Sequence, residues 1–487
     1  MSAIDEIRAE RLKKLEALQA AGINPYPTKS ERTHEIAGAL ASFDTLAEEA
    51  APITVAGRMM SFRDHGNSVF ADLFDGTGRI QAYLKKDQVG EAEYKLFTET
   101  ADRGDFIEVV GTLFTTRHGE KSIQATGWRM LSKSLLPLPT EWFGLTDEDE
   151  RYRHRYIDIL LNETSADLAR KRSVFWNTIR SYLLDRGFIE VETPVLENTT
   201  GGADARPFET HHNALDIDLY LRISAGELWQ KKLLVAGLPK VFEIGRIFRN
   251  EGMSREHLQD YTQLEFYQAY SDYEEGKTMI TDLYRTVAEK TFGTQKFTIN
   301  GHEVDLSKDW VLYDFCELIK NEYGIDPLDT TVDDVTKAIE QANIQTDESA
   351  MSIERGVDLL WKKIRKNIAG PGFLVGVPVY LEPLAKRSGA NPNVVERFQV
   401  LLAGSEVGKA FSELNDPIDQ RERFMHQEAL RAAGDDEAQM ADMDFVEALE
   451  YGMPPALGFG VSERLFSFLA GVDVREGQLF PLMRPRE

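Results

Sequence analysis

The chain has 487 residues, 42% of them apolar and 28% charged, with a formal net charge of −25. That length exceeds one core and predicts two or three domains, while no apolar run reaches the roughly 18 residues a membrane span needs, so neither a membrane-embedded nor a disordered chain fits. A single cysteine, Cys316, excludes an internal disulfide and a cysteine-rich zinc site. The first residues are acidic and lack an apolar block, unlike a secretory or transit segment, and a cytoplasmic location without membrane partners is expected. The acidic balance argues against nucleic acid as a partner of the whole surface, although phosphates sense only the local field.

In chain order, residues 4–21 predict an amphipathic helix with Ile4, Ile7, Leu12, Leu15 and Leu18 on one side and Arg8, Arg11, Lys13 and Lys14 largely elsewhere. Packing on its own protein and contact with nucleic acid are both open to it. From Ile53 to Leu131, five β-like runs separated by turn signals such as DGTG and RHGEK, with one helix-like insert, predict a small barrel of OB-fold type. Such barrels bind single-stranded nucleic acid or protein. The proline-rich LLPLPTEW and the basic run from Arg151 to Arg155 read as a linker, and the remainder as a large α+β domain. The expected domains are therefore an N-terminal helical extension at 1–50, the barrel at 51–135, a linker at 136–160, and a domain at 161–487 with a helical insertion about 275–370.

Three blocks of the large domain carry possible chemistry. The first is a helix ending at Gly187 and followed by IEVETPVL, where Pro194 interrupts the strand. The second is the charged loop Phe248–His257, set between β-formers on both sides and so predicted to cap a hairpin; it holds Arg249, Glu251, Arg255, Glu256 and His257. The third is LGFGVSERLF, where Gly458 and Gly460 allow close backbone approach and Arg464 opens a helix. Arg249 and Arg464 gain meaning as a pair, because a polyphosphate needs fixed cations and guanidinium groups are rigid bidentate donors that keep their charge. His211 and His212 have no metal-ligand spacing and read as structural.

Together these blocks resemble motifs 1, 2 and 3 of the class II aminoacyl-tRNA synthetases, and the match continues in order through RYRHRYID, TTGGADARPFETHHNALD, FSELNDPIDQRERF and FPLMRP. FSELNDP with GGADARPFETHHN is similar to the lysyl branch. The resemblance implies a homodimer with an antiparallel catalytic sheet flanked by helices, preceded by an anticodon-binding OB-fold, joining lysine to tRNA(Lys) with ATP as substrate and Mg2+ as cofactor. It further implies that Arg249 bridges the α-phosphate and the amino-acid carboxylate. Glu251 would accept from the adenine amino group, His257 approach the phosphates, Tyr261 cover the adenine and Arg464 hold the γ-phosphate. Glu406 matches the family's metal glutamate. Glu265, Tyr267, Phe411 and Glu413 would line the side-chain pocket, and Glu227 and the Gly202 backbone would face the α-amino group. In the barrel, Arg63, Phe70, Gln81 and Glu120 fall where the family reads the central uridine of the anticodon, although Phe70 also suits a barrel core.

The chain departs from the family pattern at Lys409, where Asn is usual, at Gln399, where a metal-binding Glu is usual, and in RISAGELW, which has one extra residue before Glu227. A basic face built from the N-terminal helix, Arg63 and Arg151 to Arg155 is expected to meet the tRNA.

Overall fold

The computed structural model describes residues 3–139, 147–203, 205–252, 254, 257–345, 351–432 and 438–486. The chain forms two compact units, Met1–Glu148 and Asp149–Glu487. Among the described residues no helix is long and apolar enough to cross a membrane.

In the first unit, β1 (Ile53–Asp64), β2 (Ser68–Phe74), β3 (Arg79–Lys85), β4 (Phe106–Thr115) and β5 (Lys121–Ser132) close into a barrel of order β1-β2-β3-β5-β4. Alternation fixes its faces: Val69, Ala71, Leu73, Ile80, Ala82 and Leu84 are buried, which turns Phe70, Asp72, Gln81 and Tyr83 outward. Phe70 is therefore not in the barrel core. The N-terminal helix, Ala3–Ala20, differs from its predicted pattern. Ile4 and Ile7 are 56% and 40% exposed, whereas Arg11 is buried. The Arg11 guanidinium donates to the Ser134 hydroxyl (2.6 Å) and to the carbonyls of Ser134, Leu136 and Arg103. Its donors satisfy three backbone carbonyls that no apolar side chain could serve, so a cation expected away from the apolar side is the buried group.

The second unit is built on an eight-stranded sheet. Its order runs Val311–Asp314, Gly372–Val375, Arg397–Leu402, Ser405–Ser412, Ala456–Ser462, Asp260–Ala269, Lys240–Phe248, Ile189–Glu190, and only the two outermost pairs are parallel. The predicted hairpin supplies its sixth and seventh strands, with Val241 opposite Tyr267 and Phe248 opposite Asp260. Successive strand residues enter opposite cores. Phe242, Leu264, Phe266, Phe398 and Phe459 pack under helices Glu163–Leu184 and Tyr273–Phe292, through Phe175, Ile179, Ile280 and Tyr284. Val241, Tyr267, Leu401 and Phe411 face the other side, against helices Glu227–Val235, Ile353–Ile364 and Met443–Glu450. Each such side chain contributes roughly 1.5–3 kcal/mol of burial, which makes the sheet a firm floor for a site.

Two expected regions look different in the structure. From Glu148 the supposed linker is helical, as Glu148–Arg153 and Arg155–Leu161. The stretch about 275–370 holds helices, but also the hairpin Lys296–Ile299/His302–Asp305 and the sheet-edge strand Val311–Asp314. Strands of four residues are too short to leave a periodic signal.

Candidate active site

The strands Ser405–Ser412, Ala456–Ser462 and Asp260–Ala269 lie side by side, and Gly458 pairs with Phe411 on one flank and Tyr267 on the other. Two aromatic side chains thus wall a slot whose floor has no side chain. A Cβ on Gly458 would stand 1.9 Å from Glu413 Oε1 and 2.6 Å from the Tyr267 ring, so only glycine leaves this room. Gly460 is different, since a Cβ there would meet nothing closer than 3.5 Å. Of the two expected close approaches, Gly458 makes one.

Carboxylates gather at the end of the slot. Glu265, 3% exposed, accepts from the Ala225 backbone N–H (2.8 Å), the Gln263 amide (2.6 Å) and the Tyr267 hydroxyl (3.0 Å). Glu413, 1% exposed, is ion-paired with Lys231, its Oε2 lying 2.5 Å from Nζ, while its Oε1 accepts no hydrogen bond. Glu227 Oε1 accepts from the same Lys231 ammonium at 2.7 Å. Gly202, at φ +86°, is so close to Glu227 that a Cβ would come within 2.9 Å of its Oε2. One internal cation, Lys231, pairs with two of these three buried carboxylates. Burial, with the charge of Glu227 added, pushes Glu265 up to about 7 despite its donors. Burial likewise pushes Glu413 up to about 8, against the pull of Lys231. These charges are under-compensated.

At the other end the groups sit on the hairpin loop. Arg249 Nε donates to the Ile223 carbonyl (3.2 Å), and its guanidinium stands 5.8 Å from the Tyr261 ring centroid. The Glu251 carbonyl is held by the Gln259 amide (3.2 Å), and His257 Nδ1 is 2.8 Å from the Ser254 hydroxyl. Arg255 and Glu256 lie outside the described residues. Burial raises the Tyr261 hydroxyl although Arg249 and Arg464 both pull it down, so guanidiniums from the hairpin loop and from a helix start act on one ring. Arg464 opens helix Arg464–Ala470 and donates to the Glu406 carbonyl at 2.7 Å. The Glu406 carboxylate accepts from the Trp361 indole N–H at 2.6 Å. Gln399 Oε1 is taken up by Arg397, and Lys409 is drawn to Glu382 (3.2 Å). Every residue assigned above to ATP or to lysine lines a single cavity of about 360 Å³. Among the described residues no three acidic, His or Cys side chains cluster as a metal site.

Sequence comparison fits this geometry. Residues 147–484 match the family model for tRNA synthetases class II (D, K and N), and residues 53–131 match that for an OB-fold nucleic acid binding domain. The chain belongs to the class II tRNA synthetases. Relatives named lysine–tRNA ligase include those of Moorella thermoacetica, 45% identical over 100% of this chain and 99% of the relative. That of Roseiflexus sp. is 43% identical over 99% and 100%, and that of Thermosipho africanus 42% over 99% and 97%.

On this synthetase's barrel, Phe70 stacks on Tyr83 with ring centroids 4.7 Å apart, and Tyr83 meets Phe114 at 5.9 Å. Beside this aromatic stripe, Gln81 pairs across the strands with Asp72 and Ser122, and its carbonyl accepts from the Ser122 hydroxyl (3.2 Å). Arg63 is exposed beside Asp72 (3.7 Å), and Glu120 is exposed in the turn between β4 and β5. Tyr83 and Phe114 escaped the sequence reading, though the alternation that turns both outward was the available signal. Lys231 escaped it too, being one lysine among many on a helix.

The expected basic face needs correction. Arg151 pairs with Asp158 (2.9 Å) and Glu476 (2.8 Å), and Arg155, 2% exposed, pairs with the same two carboxylates. Arg11 is buried as well, so three of the expected cations serve the protein's own structure, whereas Arg8, Lys13 and Arg63 stay exposed. Glu476, far along the chain, pairs with Arg151 and Arg155 of the basic run.

Proposed function

We propose that this synthetase joins lysine to its cognate tRNA through a lysyl-adenylate, consuming ATP and releasing pyrophosphate and AMP. The observation that carries the reading is the buried trio Glu413, Glu265 and Glu227 at the end of an aromatic slot, with Lys231 the one ammonium paired among them. A neutral side chain would leave such carboxylates unpaired, at about 1–3 kcal/mol or more each, whereas an ammonium on an aliphatic stem suits both the slot and its end. Ornithine, one methylene shorter, is separated by only about 1–3 kcal/mol and is the hardest competitor.

In the first step the amino-acid carboxylate attacks the α-phosphorus of ATP in line, an O–P bond forms, and the bond to pyrophosphate breaks. Two anions must meet, so placement and charge neutralisation do the work, and no protein nucleophile is required. Arg249 bridges the carboxylate and α-phosphate, Arg464 and His257 hold the outer phosphates, Tyr261 covers the adenine, and Glu251 accepts from its amino group. In the second step a ribose hydroxyl of the tRNA attacks the carbonyl and AMP leaves. One carboxylate that works together with substrate phosphates is a donor set magnesium accepts, so Glu406 is the residue to hold it, while the Gln399 oxygen is already engaged by Arg397. Bound there, the ion would supply charge neutralisation at the phosphates.

Phe70 and Tyr83 offer a stacking surface for anticodon bases, with Gln81, Arg63 and Glu120 at its edge for hydrogen bonds. Exposed Leu184, Ile189, Leu196 and Ile217 around the first block support a homodimer contact there. The test is amino-acid-dependent ATP–pyrophosphate exchange across all twenty amino acids and ornithine. Exchange with lysine alone is expected; exchange with another amino acid, or with none, overturns the reading.

A further inference from the structure

Lys231 lies behind the pocket, not in it. It follows Glu227 by one helical turn, so both side chains leave the same face of helix Glu227–Val235. Its Nζ is 2.7 Å from Glu227 Oε1 and 2.5 Å from Glu413 Oε2, and the ring centroids of Tyr267, Phe411 and Phe445 surround it at 5.7, 5.3 and 5.8 Å. The residue is 1% exposed and does not line the cavity. Burial alone would lower the ammonium's pKa, but Glu227 and Glu413 more than offset this and raise it, so the charge is kept. The facing groups are Glu227 on its own helix, Glu413 beyond strand Ser405–Ser412, and Tyr267 with Glu265 on strand Asp260–Ala269, while helix Met443–Glu450 contributes the Phe445 ring. The neighbouring Lys232 turns instead to Asp442 and Trp229.

Three carboxylates and one internal ammonium leave two negative charges. A ligand with an α-ammonium and a side-chain ammonium supplies two positive ones, while its own carboxylate falls to Arg249. We propose that Lys231 sets the charge of this pocket to two, and so fits it to a diamino acid over a monoamino acid of equal length. The inference rests on the lysine reading above. Lys231 is a positioning residue: it acts through Glu227 and Glu413, holding their oxygens and using up one of the three charges.

Lys231→Met keeps the stem and removes the charge, and Lys231→Arg keeps the charge. Lysine-dependent ATP–pyrophosphate exchange of the full chain is followed from pH 6 to 9, with thermal melts to verify folding. In Lys231→Met the KM for lysine at pH 7 is expected to rise about tenfold or more with kcat within about threefold. The acid limb of kcat/KM moves up by about one pH unit, because Glu413 loses its paired cation. Lys231→Arg keeps the wild-type limb. An activity loss of the same size at every pH, with the limb unmoved, overturns the proposal and makes Lys231 a packing residue. Should Lys231→Met not fold, calorimetry on the wild type in two buffers of different ionisation enthalpy decides, using lysine and norleucine, which has the same stem without the second ammonium. Greater proton release with lysine supports a pocket charge of two, and equal release overturns it. Wild type without lysine-dependent exchange at any pH overturns the lysine reading itself, and this proposal with it.

Discussion

The two ends of the cavity are built in opposite ways. The end proposed for the phosphates belongs largely to one hairpin: Arg249, Glu251, His257 and Tyr261 are close in sequence, and Asn250, Gly252, Ser254 and His257 are exposed. The carboxylate end draws Glu227, Glu265 and Glu413 from three separate segments into a buried cluster around Lys231, over the bare floor of Gly458. An ATP-handling site can remain open because its ligand brings its own charge and water can leave late. A site that must recognise a single ammonium has to be dry beforehand, since only in a low-dielectric setting does a missing charge become costly. Reactivity is local here, and selectivity is global.

The sharpest test of that contrast is Arg249→Ala. It should lower exchange by about 10³-fold or more, for lysine at saturation as well as below it, because the group acts on the reacting anions. Its thermal midpoint should stay close to that of the wild type; a drop of many degrees would mean that the loop end is structural after all. Glu265→Gln is next. Losing one partner of a buried charge contact costs about 2–5 kcal/mol, so the KM for lysine should rise by about two orders of magnitude, with the KM for ATP little changed. An unaltered lysine KM would remove Glu265 from the pocket's chemistry.

Phe70→Ala, in the barrel, should weaken tRNA binding by about 1–3 kcal/mol, visible as slower charging that higher tRNA concentration restores. Charging that is unchanged at low tRNA would make the aromatic stripe a packing feature.

The smallest effect concerns stability. Glu265 and Glu413 bind protons more tightly when folded, at about 7 and about 8, than at their ordinary value of 4.5. Their contribution to the ligand-free fold is therefore greatest below that ordinary value and declines as pH rises through 8. The melting temperature of Glu265→Gln should gain on the wild type across that window, and added lysine should stabilise the wild type more at pH 8 than at pH 6. Parallel melting curves for the two proteins would show that Glu265 carries no strained charge.

The same division decided what the sequence could reveal. The barrel, the charged-loop hairpin and the loop groups were legible because alternating strands and a charged loop are local patterns. The slot residues Glu265, Tyr267, Phe411 and Glu413 were reached through resemblance, and the structure brings them together. Long-range pairing stayed hidden. Nothing near Arg155 announces Glu476, nothing in the N-terminal helix announces carbonyls waiting for Arg11, and nothing near Lys231 marks it apart from Lys232, which faces away. In each case a cation that looks like surface is consumed by partners from distant segments.

Gly458 has a consequence for heredity. Any coding change that replaces this glycine adds at least a methyl group where Glu413 Oε1 and the Tyr267 ring already stand. Faithful decoding of one amino acid is guarded by a residue that contributes no side chain to the pocket.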